Sequence, residues 1–306
     1  MIFICRICLF AISSGLAIET QAQMPAHYGQ YLFNGMAVNP AYCGSREALS
    51  ASLLYRQQWT GFPGAPKTLS SAIHGPSRGG GNNFGLIVLH DEYGRTQSTR
   101  IQAAYAYRFE VAGGKLSFGL DAGNEFRRYR FNNLYLTDPV DSEFNGNSPV
   151  FSIPRIGFGT WFTSKKMFIG FSIPELLQIR SLTYSNAHPN EIDYRYYFLT
   201  GGFLFRVNPD IQLKPSLMLK YMTTVSPQAD INLNLIYRDR YWIGCSYRTG
   251  DAAGGMLEIQ ANDQLRFGYM FEYSLGGLRG VNAGTHELLL RYEFGYTVKN
   301  RMPGYF

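Results

Sequence analysis

Between residues 48 and 294 the chain returns repeatedly to one pattern, in which apolar and polar side chains alternate with a period of two. A strand sends successive side chains to opposite faces, so this period predicts half-buried β-strands. In Ala48–Trp59 the residues Leu49, Ala51, Leu53 and Tyr55 share one face. Ser50, Ser52 and Arg56 share the other, with one apolar intruder, Leu54. Arg100–Glu110 is the cleanest case: Ile101, Ala103, Tyr105, Tyr107 and Phe109 oppose Arg100, Gln102, Arg108 and Glu110. The split recurs in Lys67–His74, Lys115–Arg127, Arg155–Phe162, Met167–Ile173, Tyr196–Val207 and Ile211–Tyr221. It continues in Ile231–Arg238, Tyr241–Arg248, Leu257–Ala261, Leu265–Leu275 and His286–Phe294. Phe84–His90 is apolar at nearly every position, and its two faces stay ambiguous.

The connections differ by side. Ala112-Gly113-Gly114, Ser164–Lys166, Asn208–Asp210, Asp239-Arg240 and Asn262-Asp263 read as short turns, with Gly75–Asn83 the long exception. Thr60–Pro66, Asp91–Gln97, Tyr129–Ser152, Pro174–Asp193, Thr223–Asp230, Thr249–Gly255 and Gly276–Thr285 read as longer loops. An even number of antiparallel strands, with short turns at one rim and long loops at the other, marks an outer-membrane barrel whose short turns face the periplasm. The predicted fold is therefore all-β, a transmembrane outer-membrane β-barrel of about 14 antiparallel strands. It spans residues 48–296, and both chain ends are placed in the periplasm.

The faces can be assigned from chemistry. Charge on a lipid face costs about 2–4 kcal/mol at mid-membrane, so the nearly uncharged Leu/Ile/Phe/Tyr face is the outer one. The opposite face carries Arg100, Arg108, Arg127, Arg155, Arg206, Arg248, Arg266 and Arg291. With them go Glu110, Asp121, Glu125, Glu258, Glu272, Glu287 and Glu293. Both signs in one lumen point to paired charges bracing the wall rather than a one-sign ion filter. Tyr55, Tyr221, Tyr237, Tyr241, Tyr247 and Tyr273 fall at strand ends, where interfacial girdles form.

Composition agrees. Aromatic residues make up 15% of the 306 residues and charged ones only 16%, below the usual level of about 25%. A slightly negative mean hydropathy fits a barrel with one polar face and excludes a helical membrane protein. The net charge of +6 comes from singly scattered Lys and Arg, which gives no patch for nucleic acid. Residues 1–22 read as a secretory signal, with Arg6, an apolar core Ile7–Ile18 and cleavage before Gln23. Cys5 and Cys8 would leave with it. Cys43 and Cys245 would remain as free thiols, because Cys245 falls on an outward face. No later apolar run reaches the about 20 residues a membrane helix needs.

The segment before and around the first strand carries a resemblance. Gln30-Tyr31-x-Phe33-Asn34 leads to Asn39-Pro40-Ala41-Tyr42-x-Gly44-Ser45, then Tyr55-Arg56-x-Gln58-Trp59-x-Gly61-Phe62-x-Gly64-Ala65-Pro66-Lys67-Thr68. This order resembles the opening signature of the PorP/SprF family, outer-membrane proteins of type IX secretion and gliding motility. Cys43 departs from it, standing where a small residue such as Ala is the pattern. The closing strand His286–Phe294 and the tail Lys299–Phe306 are similar to the family's ends, so the resemblance covers the whole mature chain. It implies a non-enzymatic component of type IX secretion or gliding. Such a component aids export or surface anchoring of a secreted protein with a C-terminal sorting domain, and contacts the ring or motor components. The divisions implied are a signal peptide (1–22), a periplasmic or plug segment (23–47), the barrel (48–296) and a periplasmic tail (297–306).

Other chemistry finds little footing. His27, His74, His90, His188 and His286 are isolated from ligand-spaced partners, so no metal or cofactor site is expected. A rim hydrolase could enlist only His74 and Ser152, without a supporting motif, and Gly79-Gly80-Gly81 lacks the Lys of a phosphate loop. The site-like constellation is the opening signature: Tyr31, Phe33, Asn34, Asn39, Pro40, Tyr42, Trp59, Phe62 and Pro66. It reads either as a docking surface or as a plug and cap of the barrel, and the two are compatible. The lumen charges expected to matter are Arg100, Arg108, Arg127, Arg266, Arg291, Glu125, Glu272 and Glu293. The competing function is a passive channel for small solutes.

Overall fold

Alternating two-faced strands leave hydrogen-bonding edges that lipid cannot satisfy, and a ring is the arrangement that removes them. A computed structural model of the chain describes residues 31, 34–77, 81–111, 113–131, 147–176, 195–222 and 225–295. The signal segment, Phe33, Gly79, Gly80 and the tail lie outside the described residues. The strands are β1 (Leu49–Gln57), β2 (Lys67–Pro76), β3 (Asn82–Tyr93), β4 (Thr96–Val111), β5 (Gly114–Tyr129), β6 (Phe151–Ser164), β7 (Met167–Ile173) and β8 (Tyr196–Phe203). They continue as β9 (Phe205–Arg206), β10 (Ile211–Met222), β11 (Val225–Tyr237), β12 (Tyr241–Arg248), β13 (Ala252–Gln260), β14 (Leu265–Ser274) and β15 (Thr285–Phe294). Both β8 and β9 pair with β10, so they are one strand interrupted at Leu204, and the ring has fourteen strands. Each pairs antiparallel with its neighbours in sequence. The ring closes where β1 meets β15, from Leu49 opposite Phe294 to Gln57 opposite His286.

The faces follow the sequence pattern. Leu49, Leu53, Ile101, Tyr105, Phe118, Leu120, Leu217, Leu233, Phe267 and Leu288 point outward and are exposed. The six girdle tyrosines are exposed as well. Cys43 and Cys245 are both free thiols, the first buried and the second exposed. Burial pushes the Cys43 thiol up to about 12, so it stays protonated and unreactive at neutral pH. A lipid-soluble maleimide is expected to label Cys245 alone in the folded protein, and Cys43 only after unfolding. Labelling of Cys43 in the native barrel would contradict its burial.

Three expected loops are corrected. Asp91–Gln97 and Thr249–Gly255 are mostly strand, with the connections shrunk to residues 94–95 and 249–251, and the described residues 225–230 of Thr223–Asp230 are strand. The polar composition that suggested loops belongs to strands that outrun the membrane. Both β4 and β5 have 16 residues, where about 9–11 tilted residues span the hydrocarbon. The excess of about five residues, roughly 17 Å at strand rise, makes β3–β6 a lip above one rim. The four longest connections, residues 58–66, 130–150, 174–195 and 275–284, all leave from that rim. Glu110 and Arg206 keep the register of the inward face but stand exposed at the opposite, short-turn rim, where the strands end in solvent.

Candidate functional site

The site is the inside of the barrel. Just before β1 the chain turns inward, making two short 3-10 turns, Gly35–Ala37 and Pro40–Tyr42. Pro40 suits the first helical position, and Asn39 caps it: the Ala41 N–H donates to Asn39 Oδ1 at 2.9 Å. Tyr31, Asn34, Asn39, Pro40 and Tyr42 are all buried. Tyr31 and residues 34–47 thus make up an inner segment packed within the ring, termed the plug.

The plug is held along its length. Asn34 Nδ2 donates to Ser70 Oγ at 3.1 Å, and Asn232 Nδ2 donates to Tyr31 Oη at 3.0 Å. Near the short-turn rim the Gly44 N–H donates to His74 Nδ1 at 3.0 Å, while Arg108 donates to the Gly44 and Cys43 carbonyls at 2.6 and 3.3 Å. Arg46 pairs with Glu293 at 2.5 Å, and Lys115 pairs with Glu47. The Tyr42 ring packs edge-on against Trp161 and His74, with centroids 5.3 and 5.7 Å away.

The wall is cut to receive it. Three inward positions are glycine, and a Cβ at any of them would strike the plug. At Gly119 it would lie 2.3 Å from the Ala41 nitrogen, and at Gly159 2.1 Å from Asn39 Oδ1. At Gly85 it would lie 2.6 Å from the Met36 methyl and 3.0 Å from Cys43 Sγ. The sulfur therefore fits because β3 carries no side chain there. Plug contact also resolves the ambiguous third strand: Phe84 and Leu86 face outward, while Ile87 and Leu89 are buried in the two apolar clusters that include the plug.

Across the rest of the lumen lies an apolar layer. Leu54, Met218, Met256, Met270 and Leu289 sit near the middle of their strands, point inward, and cluster with Tyr31 and Val38. Leu54 is fully buried, so the apolar intruder in β1 belongs to this septum. An ion passing these side chains would lose hydration without compensation from them.

Charges lie on both sides of it. Towards the lip they alternate in sign across the wall. Arg56 holds Glu287 at 2.8 Å and also Glu272; Arg248 holds Glu272 at 3.1 Å and Asp230 at 2.8 Å; Lys220 reaches Asp230 at 2.7 Å. At the mouth itself Glu125 accepts from Arg127 at 2.6 Å and Arg155 at 2.5 Å, with Arg100 at 3.5 Å. Glu175 ties Arg155 at 2.5 Å and Arg100 at 3.5 Å, closing a cluster over β4, β5 and β6. Towards the short-turn rim, Arg266 lies 4.6 Å above the Trp242 ring and 3.6 Å from Glu258, and pairs across the ladder with buried Arg291. Glu293 holds Arg46 there.

The opening signature divides between two places. Tyr31, Asn34, Asn39, Pro40 and Tyr42 are in the plug; Phe33 lies outside the described residues. Trp59, Phe62 and Pro66 are in the first loop at the lip. That loop is stitched down by backbone bonds: Thr60 N–H to Gly284 O, Ala283 N–H to Thr60 O and Gly94 N–H to Gly64 O, each 2.8 Å. Trp59 takes φ of 44° and is half-buried, and Phe62 is exposed. Sequence reasoning missed the cradle glycines, Arg46 and the septum. The glycines and the septum were signalled by glycine or methionine recurring on faces otherwise polar; Arg46 carried no such signal.

A closed antiparallel ring with an apolar outer belt and a polar, occupied interior defines an outer-membrane β-barrel. Residues 20–292 match the family described as type IX secretion system membrane protein PorP/SprF, and the chain belongs to that family. Among proteins of curated function none matches this chain in sequence. Solved structures similar to it include the Acinetobacter baumannii outer membrane protein Omp33, 7% identical with TM-score 0.47, over 81% of this chain and 100% of that one. The KdgM porin is 10% identical with TM-score 0.37, over 80% and 99%. A mutant of Rh. blastica porin is 9% identical with TM-score 0.36, over 81% and 99%. At these values the likeness is general, and nothing of those proteins' activity is carried over.

Proposed function

We propose that this barrel serves type IX secretion or gliding without catalysing a reaction, by receiving a secreted protein with a C-terminal sorting domain and holding it at the cell surface. The observation that carries this reading is the filled lumen. A rigidly seated plug, an apolar septum and charges of both signs paired across the wall suit a docking platform and oppose a solute channel. The part of the opening signature not consumed by the plug, Trp59, Phe62 and Pro66 on the stitched lip loop, is the face offered to that partner. Both chain ends lie on the periplasmic side in this reading, since the four longest connections share the opposite rim. Ring or motor components of the machinery would then meet the short-turn rim.

Deleting the gene in the native cells tests this. A surface protein with a C-terminal sorting domain is expected to vanish from the cell surface while uptake of small solutes is unchanged. An intact surface proteome with impaired solute uptake would favour the passive channel instead.

A further inference from the structure

We propose that the plug is also a lock on one seam of the wall, the one between β6 and β7, and that this seam parts laterally when the plug withdraws. Among the fourteen strands β7 has the shortest ladders. It forms six residue pairs with β6, from Phe158 opposite Ile173 to Thr163 opposite Phe168, and six with β8. By contrast β4 and β5 share sixteen. Backbone pairing holds a barrel wall together in lipid, so a strand with few pairs is the natural place for the ring to open.

The plug's contacts converge on that strand. The Asn39 amide donates to two carbonyls that face each other across the seam, Thr160 of β6 at 3.0 Å and Phe171 of β7 at 3.2 Å. One residue earlier, the Val38 carbonyl accepts from Ser172 Oγ of β7 at 2.6 Å. Below them Tyr42 packs on Trp161 of β6, which stacks on Phe168 of β7 with centroids 5.1 Å apart. Gly159, paired with Ser172, leaves the space that lets Asn39 reach the wall. A side chain bonded to both strands at once resists their separation, and a plug that leaves takes that restraint with it. Plug position and seam opening are therefore one two-state device.

The cap and the lock of Asn39 can be separated. Serine keeps an oxygen able to cap Ala41 but is too short to reach both carbonyls. Hydrogen–deuterium exchange of the full chain in lipid nanodiscs would be compared for the wild type, Asn39→Ser and Asn34→Ala, the last loosening the plug at β2. In Asn39→Ser the amides of residues 158–173 are expected to exchange at least about tenfold faster, while β1–β2 and β12–β13 keep wild-type protection. Asn34→Ala is expected to affect the seam less. Unchanged exchange at the seam, or an equal rise around the ring, would overturn the proposal. Should Asn39→Ser not insert, Ser172→Ala removes the bond to Val38 from the β7 side and is read by the same criteria.

Discussion

Replacing Gly119 with valine is expected to turn a silent barrel into a conducting one. The valine Cβ would fall 2.3 Å from the Ala41 nitrogen and 2.5 Å from its Cα. Those are backbone atoms of a capped turn, and they have no rotamer by which to step aside. Overpacking of this kind costs about 1–3 kcal/mol where neighbours can relax, and here relief requires the plug to leave. Strand β5 itself loses nothing, since the outward neighbours Phe118 and Leu120 are unaffected and β-propensity rises with valine. Plug departure also removes Val38 and Tyr31 from the septum, opening the half of the lumen beside β3–β7. In planar bilayers the wild type is expected to show no steady conductance and Gly119→Val to show discrete channel openings, with both bands still shifting on heating in gels. A silent but folded variant would mean that the plug does not seal the lumen.

The second large effect is expected at Arg56. Its guanidinium is shared by Glu272 and Glu287, and the side-chain exposures of the three are 1%, 4% and 0%. Removing one partner of a buried ion pair costs about 3–5 kcal/mol, because the remaining charge is left in a medium that solvates it poorly. Arg56→Leu is therefore expected to lower barrel stability in urea by that order. Glu272 retains Arg248 at 3.1 Å, which offsets part of the cost on its side. Adding Glu287→Gln removes one of the two carboxylate charges that Arg56 compensates and should recover part of the loss. The expected sign of that rescue is specific: a variant with two changes more stable than the variant with one. Equal stability of Arg56→Leu and wild type would mean that water reaches this layer and screens it.

The architecture was largely legible in the sequence because it depends on a period of two and on the separation of charge from lipid. Both are local, and both appear in Arg100–Glu110 as clearly as in β4. Elsewhere the reading failed where a residue answers to something distant. Leu54 looked misplaced because its partners Met270 and Leu289 lie more than two hundred residues away. Phe84–His90 had no polar face because the plug, supplied by residues forty positions earlier, covers it. The polar stretches at Asp91–Gln97 and Thr223–Asp230 suggested loops, since strand that stands above the membrane has no apolar face to betray it. Asn39 stood out by its place before proline. What it does, joining two carbonyls across the β6–β7 seam, depends on chain more than a hundred residues further on.

Mild-detergent purification of this protein from its native outer membrane, with the bound proteins identified, bears most directly on its role. A secreted surface protein with a C-terminal sorting domain, or ring proteins of the type IX machinery, is expected to come with it. Variants altered at Trp59 and Phe62 should lose the surface protein while remaining folded. A barrel that emerges alone at every detergent strength, and conducts ions with its plug intact, would contradict a docking platform and establish a channel.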